Sequence, residues 1–168
     1  MVRDIQTKRK LADVATERAV LAGFCQYGFD AYLESDYVET DYFTDPTNQI
    51  IFSCIKHVIK DSQNVELASL LSAANHLNVY DNINNQNEIG FIRSLFNFPI
   101  HKDNISVHAA KLGKLKIARD VKKTLQACIK EIDSVTGEED INDIISLIET
   151  PVLEVTDKVY QRSSTKPE

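Results

Sequence analysis

The chain has 168 residues, 43% of them hydrophobic, and a formal net charge of −6 at pH 7. An acidic domain is poorly suited to grip nucleic acid by itself, and no apolar run approaches the roughly 20 residues of a membrane span. The small number of glycines and prolines, beside many Leu, Ile, Ala, Lys and Glu residues, favours an all-α fold.

The first predicted helix runs over about 13–33. Asp13 or Thr16 is suited to be its N-cap, because a short oxygen-bearing side chain accepts a hydrogen bond from the first turn. Gly23 within the helix costs about 1 kcal/mol relative to alanine. We therefore expect either that Gly23 permits a close helix contact or that the helix breaks near Gly28.

A turn separates the first helix from a second. Thr44 or Asp45 can cap this second helix, and Pro46 fits its first turn because proline lacks the N–H that would be unpaired there. The predicted apolar face of the second helix comprises Ile50, Ile51, Cys54, Ile55, Val58 and Ile59. The apolar positions of a third helix, ending near residue 78, are Leu67, Leu70, Leu71 and Ala74.

An asparagine-rich stretch follows over 78–87. Asparagine side chains compete for backbone hydrogen bonds, so this stretch is predicted to be a surface loop. A further helix is predicted over 88–96. It closes at Phe98-Pro99, because the residue before a proline is pushed out of the α region.

The stretch 105–159 predicts two long antiparallel helices joined by a turn at Thr136-Gly137, with Asn104 or Ser106 as the cap of the first. Apolar residues recur every three or four positions in both helices, the spacing that places them along one face. In the first helix they are Ala118, Val121, Leu125, Cys128, Ile132 and Val135. In the second helix they are Ile141, Ile145, Ile148, Val152, Val155 and Val159.

Other apolar residues of the hairpin, such as Ile117, Ile129 and Ile144, fall off these two lines. They would stay in water unless another molecule covers them. A two-fold pairing of hairpins, in which the same patch meets itself, is the simplest arrangement that does so. The predicted interface comprises Ile117, Val121, Leu125, Ile129, Ile132, Ile144, Ile148 and Val152.

The chain therefore divides into an N-terminal arm over 1–12, a helical globular subdomain over 13–100, a helical hairpin over 101–160 and the start of a linker over 161–168. The predicted fold is all-α, a helical bundle followed by a long antiparallel helical hairpin. The polar residues beyond 160 suggest that the natural protein continues.

The first hairpin helix is locally basic, although the chain is acidic. Its predicted basic face comprises Lys111, Lys114, Arg119, Lys122 and Lys123, with Lys116 nearby. One interpretation is a face for the DNA backbone or for an acidic partner. The other is charge complementarity with the acidic second helix, since charges that flank an apolar line usually set pairing and solubility. The acidic residues concerned are Glu138, Glu139, Asp140, Asp143, Glu149 and Asp157.

Sequence patterns typical of catalysis are scarce. None of the five glycines stands in a G-x-x-x-x-G-K-[ST] loop, and neither G-x-S-x-G nor H-E-x-x-H occurs. We therefore predict no catalytic, cofactor-binding or metal-binding residue in this chain. The four histidines are spread along it and are predicted to be surface or capping residues: His57, His76, His101 and His108.

The three cysteines are odd in number and have no C-x-x-C spacing. This argues against a disulfide framework and against a zinc site, so Cys25, Cys54 and Cys128 are predicted to be small core residues in a reducing compartment. Residues 1–10 are charged rather than apolar, so we expect no secretory signal there. We expect a cytoplasmic protein that does not enter a membrane.

Four segments in order carry a family resemblance: ATERAVLAGF over 15–24, DYFTDPTNQIIFSCIKHVI over 41–59, VELASLLSAANHL over 65–77 and FPIHKDNISVHAAKLGKLKIARDV over 98–121. Followed by an acidic second hairpin helix, they resemble the N-terminal domain of hexameric replicative DNA helicases of the DnaB type. The most specific pieces are Glu17, Val20, Leu21 and Gly23, and then Phe43, Pro46, Ile51, Phe52 and Ile55. These are packing positions, so they indicate a fold more than a chemistry.

The resemblance implies a helical bundle whose hairpins dimerise. Three dimers would form a collar on a hexameric ring, and the collar would receive primase or a helicase loader. ATP and Mg²⁺ would belong to a RecA-like domain after a linker, and DNA would be contacted only weakly or indirectly. Residues 82–87 depart from the glycine-containing turn of many relatives. The cell would be bacterial or phage-infected.

The leading hypothesis is a non-catalytic assembly and docking domain of a replicative helicase. The alternative is a free-standing helical adaptor, a helicase loader or inhibitor that acts by protein–protein interaction. A small enzyme with an unrecognised site is the third hypothesis, and no spacing of acid and base groups supports it.

Overall fold

The computed structural model describes residues 11–164, and every regular element within them is helical. The α-helices are α1 (Val14–Glu34), α2 (Pro46–Lys60), α3 (Leu67–His76), α4 (Tyr80–Ile83), α5 (Gln86–Leu95), α6 (Lys102–Asp133) and α7 (Ile141–Ser164). One 3-10 turn, Thr40–Tyr42, precedes α2. The prediction of an all-α fold is confirmed.

Helix α1 begins at the predicted cap and contains the predicted break. The Asp13 carboxylate accepts a hydrogen bond from the backbone N–H of Thr16 at 3.0 Å. Gly28 has φ of 55° and ψ of −129°, which lies outside the helical region and is readily adopted only by glycine. The helix therefore changes direction at Gly28 before it ends at Glu34.

Helix α2 also begins as predicted, with Pro46 in its first turn. The Asp45 carboxylate accepts hydrogen bonds from the N–H groups of Thr47 at 2.8 Å and Asn48 at 3.1 Å. Its predicted apolar face is confirmed, because the residues buried there are Ile51, Cys54, Ile55, Val58 and Ile59, while Ile50 is partly buried. This face packs against α1 and α3.

The core of the bundle centres on three aromatic rings from α1, α2 and the segment between them. Phe52 is fully buried, with its ring centroid 4.9 Å from that of Phe43 and 6.0 Å from that of Phe24. Helix α5 joins this core through α1, where the Gln26 amide donates to the carbonyl oxygens of Leu95 and Phe98 at 2.8 and 2.7 Å. The same core contains Leu70 of α3 and Ile105 of α6, so each of the four segments of the family resemblance contributes to it.

A buried carboxylate ties α1 to the start of α2. The Glu17 side chain is fully buried and accepts hydrogen bonds from the Thr44 N–H at 2.7 Å and the Thr44 hydroxyl at 2.6 Å. It also accepts one from the Asn48 amide at 2.8 Å. These donors lie at the N-terminal end of α2, where the helix dipole favours a negative charge.

The asparagine-rich stretch is not a plain surface loop, so this prediction is wrong in part. It contains the single turn α4, and Ile83 within that turn is 1% exposed. Val79 and Tyr80 also pack against the core. Burial of these apolar side chains outweighs the local preference of their asparagine neighbours for loop conformations.

Helix α6 begins at Lys102, before both predicted caps, and this prediction is wrong. The carbonyl oxygen of His101 already accepts the N–H of Asn104 at 3.0 Å, so Asn104 and Ser106 lie inside the helix. Contacts divide the chain into two compact units, one ending at Lys114 and one beginning at Leu115. The four-part division from the sequence, with its boundary near residue 100, stays a prediction.

The predicted turn between the hairpin helices is confirmed. Gly137 has φ of 92°, in the region that favours glycine. The Glu139 carboxylate accepts hydrogen bonds from the N–H groups of Thr136 at 3.0 Å and Gly137 at 2.9 Å. These bonds from the loop backbone lower the pKa of Glu139 from 4.5 to about 2.

Candidate interaction surface

The unit that begins at Leu115 has almost no core of its own. Among its side chains described up to residue 161, only Lys116 and Cys128 are buried. Lys116 forms an ion pair with Asp120 one turn further along α6. Two helices alone bury little apolar surface, so this unit lacks the core that an independently folded domain normally has.

Helices α6 and α7 nevertheless face each other along the hairpin. A cavity of about 30 Å³ is lined from α6 by Ile117, Asp120 and Val121, and from α7 by Val155, Lys158 and Val159. Residues at equal distances from the connecting loop therefore lie side by side, as expected for antiparallel helices.

Each helix also carries an exposed apolar stripe near the loop. Ile129 in α6 is 58% exposed and Ile141 in α7 is 75% exposed. The two stripes together form what we call the apolar face, which comprises Leu125, Ile129, Ile132, Ile141, Ile145 and Ile148. In both helices the residues recur at steps of four and three, which keeps them on one side of the helix.

The two stripes lie on the same side of the hairpin. In α6, exposed Ile129 follows buried Cys128, and in α7, exposed Ile148 follows half-buried Leu147. A step of one residue turns an α-helix by about 100°, so in each helix the exposed stripe lies about 100° away from the side that faces the other helix. The turn has the same sense along both chains. Because the two helices are antiparallel, the two stripes lie on the same side of the hairpin and form one continuous face.

The predicted interface residues fall into two groups. Leu125, Ile129, Ile132 and Ile148 are exposed. Ile117, Val121, Ile144 and Val152 are half-buried. Ile117 and Val121 line the cavity between the two helices, so α7 covers part of each side chain. Apolar residues occupy two neighbouring lines of α6, and periodicity alone does not separate half-buried Val121 from exposed Leu125. The interface stays a prediction.

The predicted interface does not include Ile141 and Ile145, two exposed residues of the apolar face. Their spacing of three and four predicts that both lie on the line that closes the hairpin.

The predicted basic face is divided between the two units. In the first unit, Lys111 forms an ion pair with Asp13, and Lys114 is exposed. In the second unit, Lys122 and Lys123 are exposed and Arg119 is half-buried. The role of the basic face stays a prediction.

The groups that could carry chemistry are few in the part of the chain that the structure describes. No cluster of three or more His, Cys, Asp or Glu side chains suited to a metal ion occurs within residues 11–164. The rings of His57 and His76 lie 5.2 Å apart, and His57 Nε2 is 3.3 Å from the Asp61 carboxylate. Among the described helices, none is both long and apolar enough to cross a lipid bilayer.

The prediction that the three cysteines are buried is confirmed for Cys25, Cys54 and Cys128. The reducing compartment stays a prediction. Burial raises the pKa of Cys25 from 9.0 to about 12 and that of Cys54 to about 11. A thiol with so high a pKa carries little of the reactive thiolate at neutral pH.

Comparisons with known proteins agree with this architecture. A family model described as "DnaB-like helicase N terminal domain" matches residues 9–113. The fold resembles the crystal structure of the N-terminal domain of DnaB helicase from Mycobacterium tuberculosis, with a TM-score of 0.69 and 12% sequence identity over 87% of this chain and 99% of that chain. No curated protein sequence matches significantly. Since the family model covers well over half of the residues, the chain belongs to the family of DnaB-like helicase N-terminal domains.

Proposed function

We propose that this chain is a non-catalytic assembly domain of a replicative DNA helicase, and that it pairs with a second copy through the apolar face of its hairpin. The observation that carries the proposal is the continuous set of exposed isoleucines and leucine on one side of α6 and α7. Monomeric proteins rarely leave a large contiguous apolar patch in water. A second hairpin supplies the missing side of the core.

A two-fold arrangement fits the charges beside the apolar face. Lys122, Lys123 and Lys130 make α6 basic, whereas Asp143 and Glu149 make α7 acidic. In a two-fold pair the same patch meets itself, so α6 of one copy can lie against α7 of the other. Opposite charges would then flank the apolar contact, as they do in paired helices generally.

In the wider proposal, three such pairs form a collar that fixes the spacing of six subunits and recruits primase or a helicase loader. The family membership supports this arrangement. ATP and Mg²⁺ are then handled by another domain, and DNA is contacted indirectly. The collar works in the cytoplasm of a bacterial or phage-infected cell.

The pairing is tested by Ile129→Glu, measured by multi-angle light scattering over a range of protein concentrations. A charge placed in a buried apolar contact is costly, whereas a solvated one is not. We expect self-association to weaken on the order of tenfold or more, with helical circular dichroism unchanged. The control is Leu153→Glu, which changes an equally exposed residue of α7 that lies off the apolar face.

Three results would contradict the pairing. If Ile129→Glu unfolds the chain, Ile129 belongs to an intramolecular core. If the mass in solution does not change, the interface lies elsewhere. If Leu153→Glu weakens association to the same extent, the effect is one of charge and not of the apolar face.

The non-catalytic part of the proposal has a separate test. The rigorously purified chain should hydrolyse ATP no faster than buffer does, because its sequence has no phosphate-binding loop. Hydrolysis that is lost on mutation of residues within this chain would overturn it.

A further inference from the structure

A second exposed apolar surface lies on the first unit, at the end of α1. Beyond the break at Gly28, Phe29 is 57% exposed and Leu33 is 56% exposed. They are four positions apart, so both side chains lie on one side of the helix. They form a ridge that none of the described residues covers, and we call it the α1 ridge.

A groove runs beside the α1 ridge. Its volume is about 570 Å³, and Tyr27, Gly28, Phe29 and Asp30 form one wall. Ile59, at the end of α2, and Val65, which precedes α3, lie on the other wall. Gly28, where α1 breaks, is part of this lining, and the polar residues Ser62, Gln63 and Asn64 lie between Ile59 and Val65 on the other wall.

Acidic residues adjoin the α1 ridge. Asp30 and Glu34 each follow a ridge residue directly, and Asp36 lies just beyond the end of α1. Between Arg18 and Lys56 the sequence has no lysine, arginine or histidine and three further carboxylates, Glu39, Asp41 and Asp45, of which Asp45 lies beside Glu17 at the other end of α1. Asp30 and Glu39 have a lysine partner from elsewhere, since Asp30 is 3.8 Å from Lys102 and Glu39 is 2.9 Å from Lys56. Glu34 and Asp36 are exposed beside the ridge.

We infer that the α1 ridge and its groove dock a basic amphipathic helical segment of a partner protein. Apolar anchors spaced by one helical turn match the spacing of the ridge residues Phe29 and Leu33. Lysines or arginines on the same segment complement the carboxylates at the rim, which also raises the rate of encounter. Nucleic acid is disfavoured by these carboxylates.

This inference rests on the docking role proposed above, but it concerns a surface in the other unit. The probe is a short fluorescent peptide of leucine and lysine, ordered so that its helix is amphipathic, and binding is measured by anisotropy with the full chain. A peptide of the same composition, scrambled so that leucine and lysine no longer segregate, is the reference. We expect the amphipathic peptide to bind on the order of tenfold more tightly than the scrambled one.

Two double variants separate the apolar and the charged contributions. Phe29→Ser with Leu33→Ser removes the ridge and keeps every charge, whereas Asp30→Asn with Glu34→Gln removes charges and keeps the ridge. Each should weaken binding about tenfold. The matched controls are Val107→Ser, which is an exposed apolar residue of the same unit, and Glu154→Gln with Asp157→Asn on α7. The controls should change binding less than twofold.

The inference is overturned if either double variant binds the amphipathic peptide as tightly as the parent does. It is also overturned if the control variants lose as much affinity as the double variants. So does a lower mass of the Phe29→Ser, Leu33→Ser variant by light scattering, because the occupant would then be a second copy of this chain. A parent chain that self-associates through its hairpin but does not distinguish the two peptides refutes this inference and leaves the proposed assembly role intact.

Discussion

The backbone of Gly23 in α1 lies directly against the side chain of Ile105 in α6. A Cβ added at Gly23 would stand 2.6 Å from Ile105 Cγ1 and 2.7 Å from its Cδ1. Ile105 is itself buried and is branched at Cβ, so it has little freedom to move away. Glycine at this position therefore allows the two helices to approach more closely than any other residue would.

Gly23→Ala should destabilise the chain, although alanine is the better helix former. Overpacking of a filled core costs about 1–3 kcal/mol, against a gain of about 1 kcal/mol in helix propensity. The matched control is Gly90→Ala in α5, where an added Cβ meets nothing within 4 Å. This control should gain up to about 1 kcal/mol. Urea unfolding measures both, and a gain in stability at Gly23 equal to that at Gly90 would contradict the close contact.

Local chemistry explains most of what the sequence predicted correctly. Asp13 caps α1 and Asp45 caps α2, and both signals lie within three residues of the bonds they make. The two expectations for α1, a close contact at Gly23 and a break near Gly28, both hold. Such features depend on short-range geometry, so they can be inferred before the fold is known.

Tertiary packing explains what the sequence could not show. Ile83 stands among asparagines that favour a loop, and only its neighbours in the folded core identify it as buried. In the hairpin, apolar residues occupy two adjacent lines of α6, and periodicity cannot tell which line faces α7 and which faces outward. The direction of Leu125 toward solvent depends on where the other helix lies.

Phe52→Ala should cost about 3–5 kcal/mol, because it removes a fully buried ring between Phe24 and Phe43 and leaves a cavity. Phe29→Ala removes a ring that is more than half exposed and should change stability by less than about 1 kcal/mol. The melting temperatures of both variants, each compared with that of the parent chain, test this prediction. If Phe52→Ala melts within a degree or two of the parent, α2 is not packed as described.

Glu17→Ala should be one of the more damaging substitutions in α1. It removes the acceptor of three short hydrogen bonds and leaves the buried amide of Asn48 and the half-buried N–H and hydroxyl of Thr44 without this partner. Each unsatisfied buried donor costs about 1–3 kcal/mol. We expect a total loss of about 3 kcal/mol or more by urea unfolding. Glu34→Ala, an exposed control in the same helix, should stay within about 0.5 kcal/mol.

The ion pair between Asp13 and Lys111 should make stability depend on acid pH. The hydrogen bond from Lys111, followed by that from the Thr16 N–H, lowers the pKa of Asp13 from 3.8 to about 2. The carboxylate therefore stabilises the fold above pH 3.8, and this contribution is lost as the pH falls toward 2. Because Lys111 is 55% exposed, solvent screening limits the effect to about 1 kcal/mol.

Asp13→Asn isolates this contribution, because asparagine keeps the N-cap and loses the charge. In urea unfolding, the parent should exceed the variant by about 1 kcal/mol near neutral pH. The difference should shrink between pH 4 and pH 2, since the parent then becomes uncharged at this position as well. Other carboxylates titrate in the same range, but they do so equally in both proteins. A difference between the two proteins that does not change with pH would show that Asp13 acts only as a helix cap.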